Sequence, residues 1–195
     1  MFEFIQGEIS EINPSYVVIN TGGTGYFINI SLTTFTALNG KENARLFIHQ
    51  VIREDAHLLF GFFSKYEREV FRQLISVSGI GANTARMMLS SLEPDEVQKS
   101  IIEANVDVLK SVKGVGLKTA QRVIVELKDK LGKTDLPADL FVKTDNTIKE
   151  EALSALVMLG FTKNNVAKVL DQLFKDTNNK ELKVEEVIKK ALKKL

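Results

Sequence analysis

Residues 2–63 run as short apolar blocks separated by turn residues. The blocks "FEFIQGEISEI", "YVVIN", "GYFINIS", "ARLFIHQVIRE" and "HLLFGFF" are rich in Ile, Val, Phe and Tyr, side chains that suit a pleated, half-buried surface. Asn13-Pro14-Ser15, Gly22-Gly23, Asn39-Gly40 and Glu54-Asp55-Ala56 punctuate them, and such clusters mark turns. Short strands packed this closely predict a small closed or partly closed barrel of the OB type. "LTTFTAL" predicts a short helical turn between the third and fourth strands.

The period changes near Ser64. In "KYEREVFRQLISV", Val70, Leu74 and Val77 share a face, with Phe71 and Ile75 beside them, which is helical spacing. "PDEVQKSIIEAN" opens with Pro94 in a first-turn position and Asp95 and Glu96 near the positive end of a helix dipole. "LKTAQRVIVELKDKL" gathers Ala120, Val123, Ile124, Leu127 and Leu131 on one side, with Glu126 and Lys130 spaced as an i,i+4 pair. From Gly132 to Thr147 no period persists, and Gly, Pro, Asp and Asn mark a linker in which Leu140-Phe141-Val142 could dock. "IKEEALSALVML", "TKNNVAKVLDQLF" and "LKVEEVIKKALKKL" then predict a small three-helix bundle, broken at Gly160-Phe161 and at Asp176-Thr177-Asn178-Asn179. The chain thus reads as an α+β multidomain protein: a barrel over 1–64, a helical domain over 65–132, a linker over 133–147 and a bundle over 148–195.

Within the helical domain the sequence repeats itself. Residues 76–89 read "SVSGIGANTARMML" and residues 111–124 read "SVKGVGLKTAQRVI"; six of the fourteen aligned positions are identical. Neither copy has the spacing of a P-loop, and Thr84 and Thr119 stand where a dinucleotide fingerprint would have its third glycine. The physical reading is a tight corner between two helices. The glycines permit positive φ and close approach of another backbone, and Ile80 or Val115 packs inward to stiffen the turn. The following helix begins with unpaired N–H groups, an anion site by construction. Lys118 and Arg122 add charge there. Such a corner suits a nucleic-acid backbone held without sequence preference. The alternative is a pair of plain helix–helix turns in which glycine only caps a helix end.

Composition narrows the classes. The 195 residues include no cysteine and two histidines, His49 and His57, so disulfides and thiolate metal sites are excluded and no metal or cofactor is expected. No apolar run is long enough to span a bilayer, and "MFEFIQGEIS" lacks the regions of a secretory signal; a cytoplasmic location is expected. The net charge of +1 conceals an asymmetry. Residues 1–64 carry three cations against six acids, whereas residues 110–132 carry six cations against two acids. The basic excess surrounds the second corner, and a local basic face is what attracts a polyanion.

This order of parts resembles the RuvA family, bacterial proteins that bind Holliday junctions. The resemblance spans nearly the whole chain, and "VIREDAHLLFGF" at 51–62, "GVGLKTAQRVIVELKDKL" at 114–131 and "ALVMLGF" at 155–161 carry it most specifically. The hairpin motif alone occurs in many DNA repair proteins. The resemblance implies a UBA-like C-terminal bundle, a homotetramer binding the junction singly or paired as an octamer, and tandem helix–hairpin–helix elements on the arm backbones. By motif match the contacts are Ser78, Gly79, Gly81, Asn83 and Arg86 in the first copy, and Lys113, Gly114, Gly116, Lys118, Thr119 and Arg122 in the second. The family often has Pro-Lys after the first G-x-G, where this chain has Ala82-Asn83.

Glu54 and Asp55 read on their own as ordinary turn residues; the resemblance makes them an acidic pin at the junction centre. It also implies that the bundle meets RuvB, a hexameric ring ATPase, with Leu156, Leu159 and Phe161 as the contact or, alternatively, as bundle core. The RuvC resolvase would join the larger complex, in recombination, repair and the SOS response. The basic tail "KKALKKL" reads as a solvated helix face. The chain lacks a Walker motif, so a non-catalytic subunit is expected. The rivals are a Mg-dependent nuclease using Glu54, Asp55 and His57, which needs convergent carboxylates, and a single-strand binder, which needs a basic, aromatic-lined barrel groove.

Overall fold

The alternation of the first blocks sends every second side chain to one interior. The computed structural model describes residues 2–131, 145–176 and 184–195, and the chain divides into two compact units, Met1–Pro137 and Ala138–Leu195. In the first unit, β1 (Phe4–Asn13), β2 (Tyr16–Asn20), β3 (Gly25–Ile30), β4 (Asn43–Ile52) and β5 (His57–Phe62) close a barrel in the order β1-β2-β3-β5-β4. β1 pairs antiparallel with both β2 and β4, so that Glu8 faces Asn20 on one side and Asn43 on the other. Closure comes from a parallel pairing of β3 with β5, Asn29 opposite Phe60 and Ile30 opposite Gly61. Val17, Ile19, Ile28, Ile30, Leu46 and Ile48 fill the interior. The short helix α1 (Leu32–Leu38) begins on Ser31, whose side chain accepts the Thr34 amide, and buries Thr34 and Leu38.

The helices α2 (Lys65–Ile75), α3 (Ala82–Ser91), α4 (Pro94–Ile102), α5 (Val106–Lys110) and α6 (Leu117–Leu131) follow. Their apolar faces are those the spacing predicts: Val70, Phe71, Leu74 and Val77 from the start, and Ala120, Val123, Ile124 and Leu127 from α6, are all buried. The barrel and the helices have separate cores, and the second begins slightly before the change of period near Ser64. Phe60 and Phe62 of β5 belong to the helical core, with their rings 5.4 and 4.8 Å from that of Phe71. Barrel and hairpins are therefore one unit, because β5 shares its side chains with α2.

Two adjacent charged residues of α2 complete this joint. Glu67 is 2% exposed and accepts the Ser31 hydroxyl and, at 2.7 Å, the Thr34 hydroxyl. Arg68 is 6% exposed; it donates to the Glu3 carboxylate at 2.6 Å and the Glu3 carbonyl at 3.0 Å, and lies 5.5 Å from the Phe47 ring centre. Buried polar groups need partners; these pairings cross from helix to barrel, and the buried Arg68 Nε is left without one.

In the second unit α7 (Asp145–Met158), α8 (Lys163–Asp176) and α9 (Val184–Leu192) enclose Ala152, Leu156, Val166, Leu170, Leu173, Val187 and Ala191. α7 begins at Asp145, inside the stretch read as linker; Asp and Asn, which signal loops, also serve at helix N-termini. The rest of that linker with Leu140-Phe141-Val142, the Thr177-Asn178-Asn179 break, and the side chains of Lys130 and Leu131 lie outside the described residues.

Burial pushes the Glu67 carboxyl above its ordinary range, the hydroxyl donors opposing it. The folded chain then holds a proton that the unfolded chain has already released, so this group's contribution falls as pH rises through the raised value. Urea unfolding at about pH 5 and about pH 8 checks this. Glu67→Gln, which does not titrate, is expected to flatten that slope. Glu67→Ala, which leaves both hydroxyls without their acceptor, is expected to cost about 1–3 kcal/mol.

Candidate nucleic-acid interface

The two repeats build the same corner. Ser76 and Ser111 each donate a hydroxyl to the carbonyl three residues back, Gln73 and Val108, at 2.7 Å in both cases. Gly79 and Gly114 follow with φ of +94° and +92°, the left-handed region that L side chains disfavour. The amides of Ile80 and Val115 donate back to Val77 and Val112 at 3.1 and 3.0 Å. Their side chains turn inward, 5% and 4% exposed. The carbonyls of Gly81 and Gly116 then accept the amides of Ala85 and Ala120 at 3.0 and 2.9 Å, which starts α3 and α6.

The second glycine of each pair is not there for left-handed backbone. Gly81 has φ −84° and ψ 165°, extended geometry open to any residue, and Gly116 also lies outside the positive-φ range. A Cβ built on either would meet nothing within 4 Å. Other helices of this unit begin with a side-chain cap. Ser31 accepts the Thr34 amide at 3.0 Å at the start of α1, Ser64 accepts the Glu67 amide at 3.0 Å at α2, and Asn105 accepts the Val108 amide at 3.3 Å at α5. α3 has no side-chain cap, and Gly116 can supply none to α6. Both corners thus present helix-start amides, with no side chain above them, on an exposed surface.

Around these amides Ser78, Gly79, Gly81 and Asn83 of the first corner are exposed, as are Lys113, Gly114, Gly116, Lys118 and Arg122 of the second; Thr119 is half-buried. Arg122 also donates to the Ser78 carbonyl at 3.1 Å, so the two corners touch. Arg86 has a partner within the chain. It is half-buried, its charge disfavoured by desolvation, and it donates to the Ser15 carbonyl in the β1–β2 turn at 2.7 Å. Nothing in the local sequence signals this, because Ser15 is far away along the chain.

Glu54 and Asp55 stand exposed at the tip of the β4–β5 hairpin, closed by the Arg53 amide on the Ala56 carbonyl at 2.8 Å. Among the described residues no three His, Asp or Glu side chains are grouped to hold a metal ion. None of the described helices is long and apolar enough to cross a membrane.

In the second unit the expected trio separates. Leu156 is fully buried in the bundle core, and its side chain is unavailable to a partner, because it follows Ala152 by one helical turn on the inward face. Phe161 packs half-buried against that core. Leu159 is exposed, and so are Val157 and Met158, the latter 86%. The apolar end of α7 is therefore Val157, Met158 and Leu159. Helical phase, continued one residue past Leu156, was the signal that finds it.

Comparison with known proteins agrees with this architecture. Residues 1–61 match the model for the RuvA N terminal domain, residues 71–129 the SAM-like helix-hairpin-helix tandem, and residues 147–195 the RuvA C-terminal domain. Proteins named Holliday junction branch migration complex subunit RuvA are similar over the full length of both chains: 50% identical in Christiangramia forsetii, 48% in Bacteroides thetaiotaomicron and 45% in Flavobacterium psychrophilum. With three domain models in the order of its own barrel, hairpins and bundle, and full-length relatives at this identity, the chain belongs to the RuvA family.

Proposed function

We infer that this chain recognises four-way DNA junctions and serves as the non-catalytic subunit of a branch-migration complex in recombination and repair. The observation that carries the reading is the pair of exposed corners whose helix-start glycines have no conformational reason to be glycine. The empty space above Gly81 and Gly116 is room for something outside the chain. Uncapped amides beside Lys118 and Arg122 suit the sugar–phosphate backbone, which gives affinity without sequence preference.

Four copies around a junction would bring four acidic tips together. Glu54 and Asp55 would then repel phosphates at the crossover and disfavour plain duplex. In the cytoplasm, two such tetramers could enclose one junction, with the RuvC resolvase acting on the assembly. ATP hydrolysis falls to the RuvB partner, for which Val157, Met158 and Leu159 form a compact apolar contact.

Gly81→Val and Gly116→Val, with Cβ atoms in open space, are expected to cost no more than about 1 kcal/mol in unfolding. Junction affinity should fall about tenfold or more, on the order of 1.4 kcal/mol. Gel shifts and thermal melts on the same samples check this; normal junction binding by Gly116→Val would remove the corner from the interface. The pair Glu54→Gln, Asp55→Asn should strengthen duplex binding and narrow the junction-to-duplex ratio in a competition assay. Met158→Ser with Leu159→Ser should abolish capture of the ATPase while the bundle stays helical by circular dichroism. Leu156→Ala instead should destabilise the bundle by about 2–5 kcal/mol.

A further inference from the structure

The two hairpins are copies in backbone and not in charge. Where the second has Lys118 in the first turn of α6, the first has Asn83. The other cation of the first copy, Arg86, donates to the Ser15 carbonyl and is half-buried. The first corner therefore has uncapped amides without a fully exposed cation from its own helix.

A cation reaches it from the other copy. Arg122 of α6 donates Nη1–H to the Ser78 carbonyl at 3.1 Å, and the same nitrogen lies 4.0 Å from where a Cβ on Gly79 would stand. Met87, the residue equivalent to Arg122 in the first copy, is apolar and exposed, so the contact runs one way. A guanidinium presents several N–H donors in a planar fork. One bond to a carbonyl fixes its orientation and leaves the remaining donors for an anion. Arg122 is itself exposed.

Resting on the reading of the corners as phosphate-binding, we propose that Arg122 is the cation of the first hairpin as well as the second: a single arginine that couples both corners into one composite backbone clamp. Asn83 is tolerated because Arg122 already supplies the charge that a lysine there would bring. The two corners then act on DNA together, and loss of Arg122 disarms both.

A double-mutant cycle on the full chain tests this, using a synthetic four-way junction at several salt concentrations. Arg122→Gln should weaken binding about tenfold and lower the slope of log K against log salt by more than the value of about one that a single phosphate contact contributes. Asn83→Lys alone should change affinity less than about twofold. In the Arg122→Gln background it should restore about fivefold and recover part of the lost slope, a non-additivity expected only of coupled sites. If Asn83→Lys multiplies affinity by the same factor in both backgrounds, Arg122 serves its own hairpin alone and the proposal is overturned. If none of these substitutions moves binding, the phosphate-binding reading of the corners fails as well. Arg122→Lys, which keeps the charge and loses the fork, should fall between wild type and Arg122→Gln. It also stands in should the glutamine variant melt early.

Discussion

Everything exposed at the corners depends on one buried side chain in each. Ile80 and Val115 are drawn into the helical core by the hydrophobic effect, and with them goes the middle of a G-x-G turn. The chain can reverse so tightly only if the residue before each anchor takes positive φ, which Gly79 and Gly114 do. With the anchor inside, the next residue is forced outside at the head of a new helix. The orientation of the polar amides thus follows from apolar burial, and the Ile80 and Val115 amides bonded back to Val77 and Val112 hold the same turn.

This explains the pattern of helix caps. Where a helix start faces only the protein or water, a serine or asparagine satisfies it, as at α1, α2 and α5. Where it heads a G-x-G corner, the cap is withheld. Leaving helix-start donors open disfavours the isolated fold slightly, and the structure accepts this twice, in the same place of each repeat.

The barrel, the corners and the bundle were legible in the sequence because each is specified locally, by period-two blocks, by a repeat and by helical phase. What stayed hidden depends on distant parts of the chain. Glu67 and Arg68 look like solvated helix residues until Ser31, Thr34 and Glu3 are brought to them. Arg86 matches a DNA-binding motif, yet its partner lies in the β1–β2 turn. Sharing across residue 64 was hidden for a related reason: β5 alternates as a barrel strand should, but two of its rings also serve the helices. Leu156 differs, since its inward phase was readable and was outweighed by the apolar run around it.

β5 has a further consequence. One end of the strand adjoins the acidic tip, and its other end is clamped by Phe60 and Phe62 against Phe71 of α2, the helix that leads into the first corner. Tip and corner are therefore mounted on a common rigid bracket, roughly 20 Å of strand at about 3.3 Å per residue. Lengthening the β4–β5 turn would move the tip outward and leave the corner where it is.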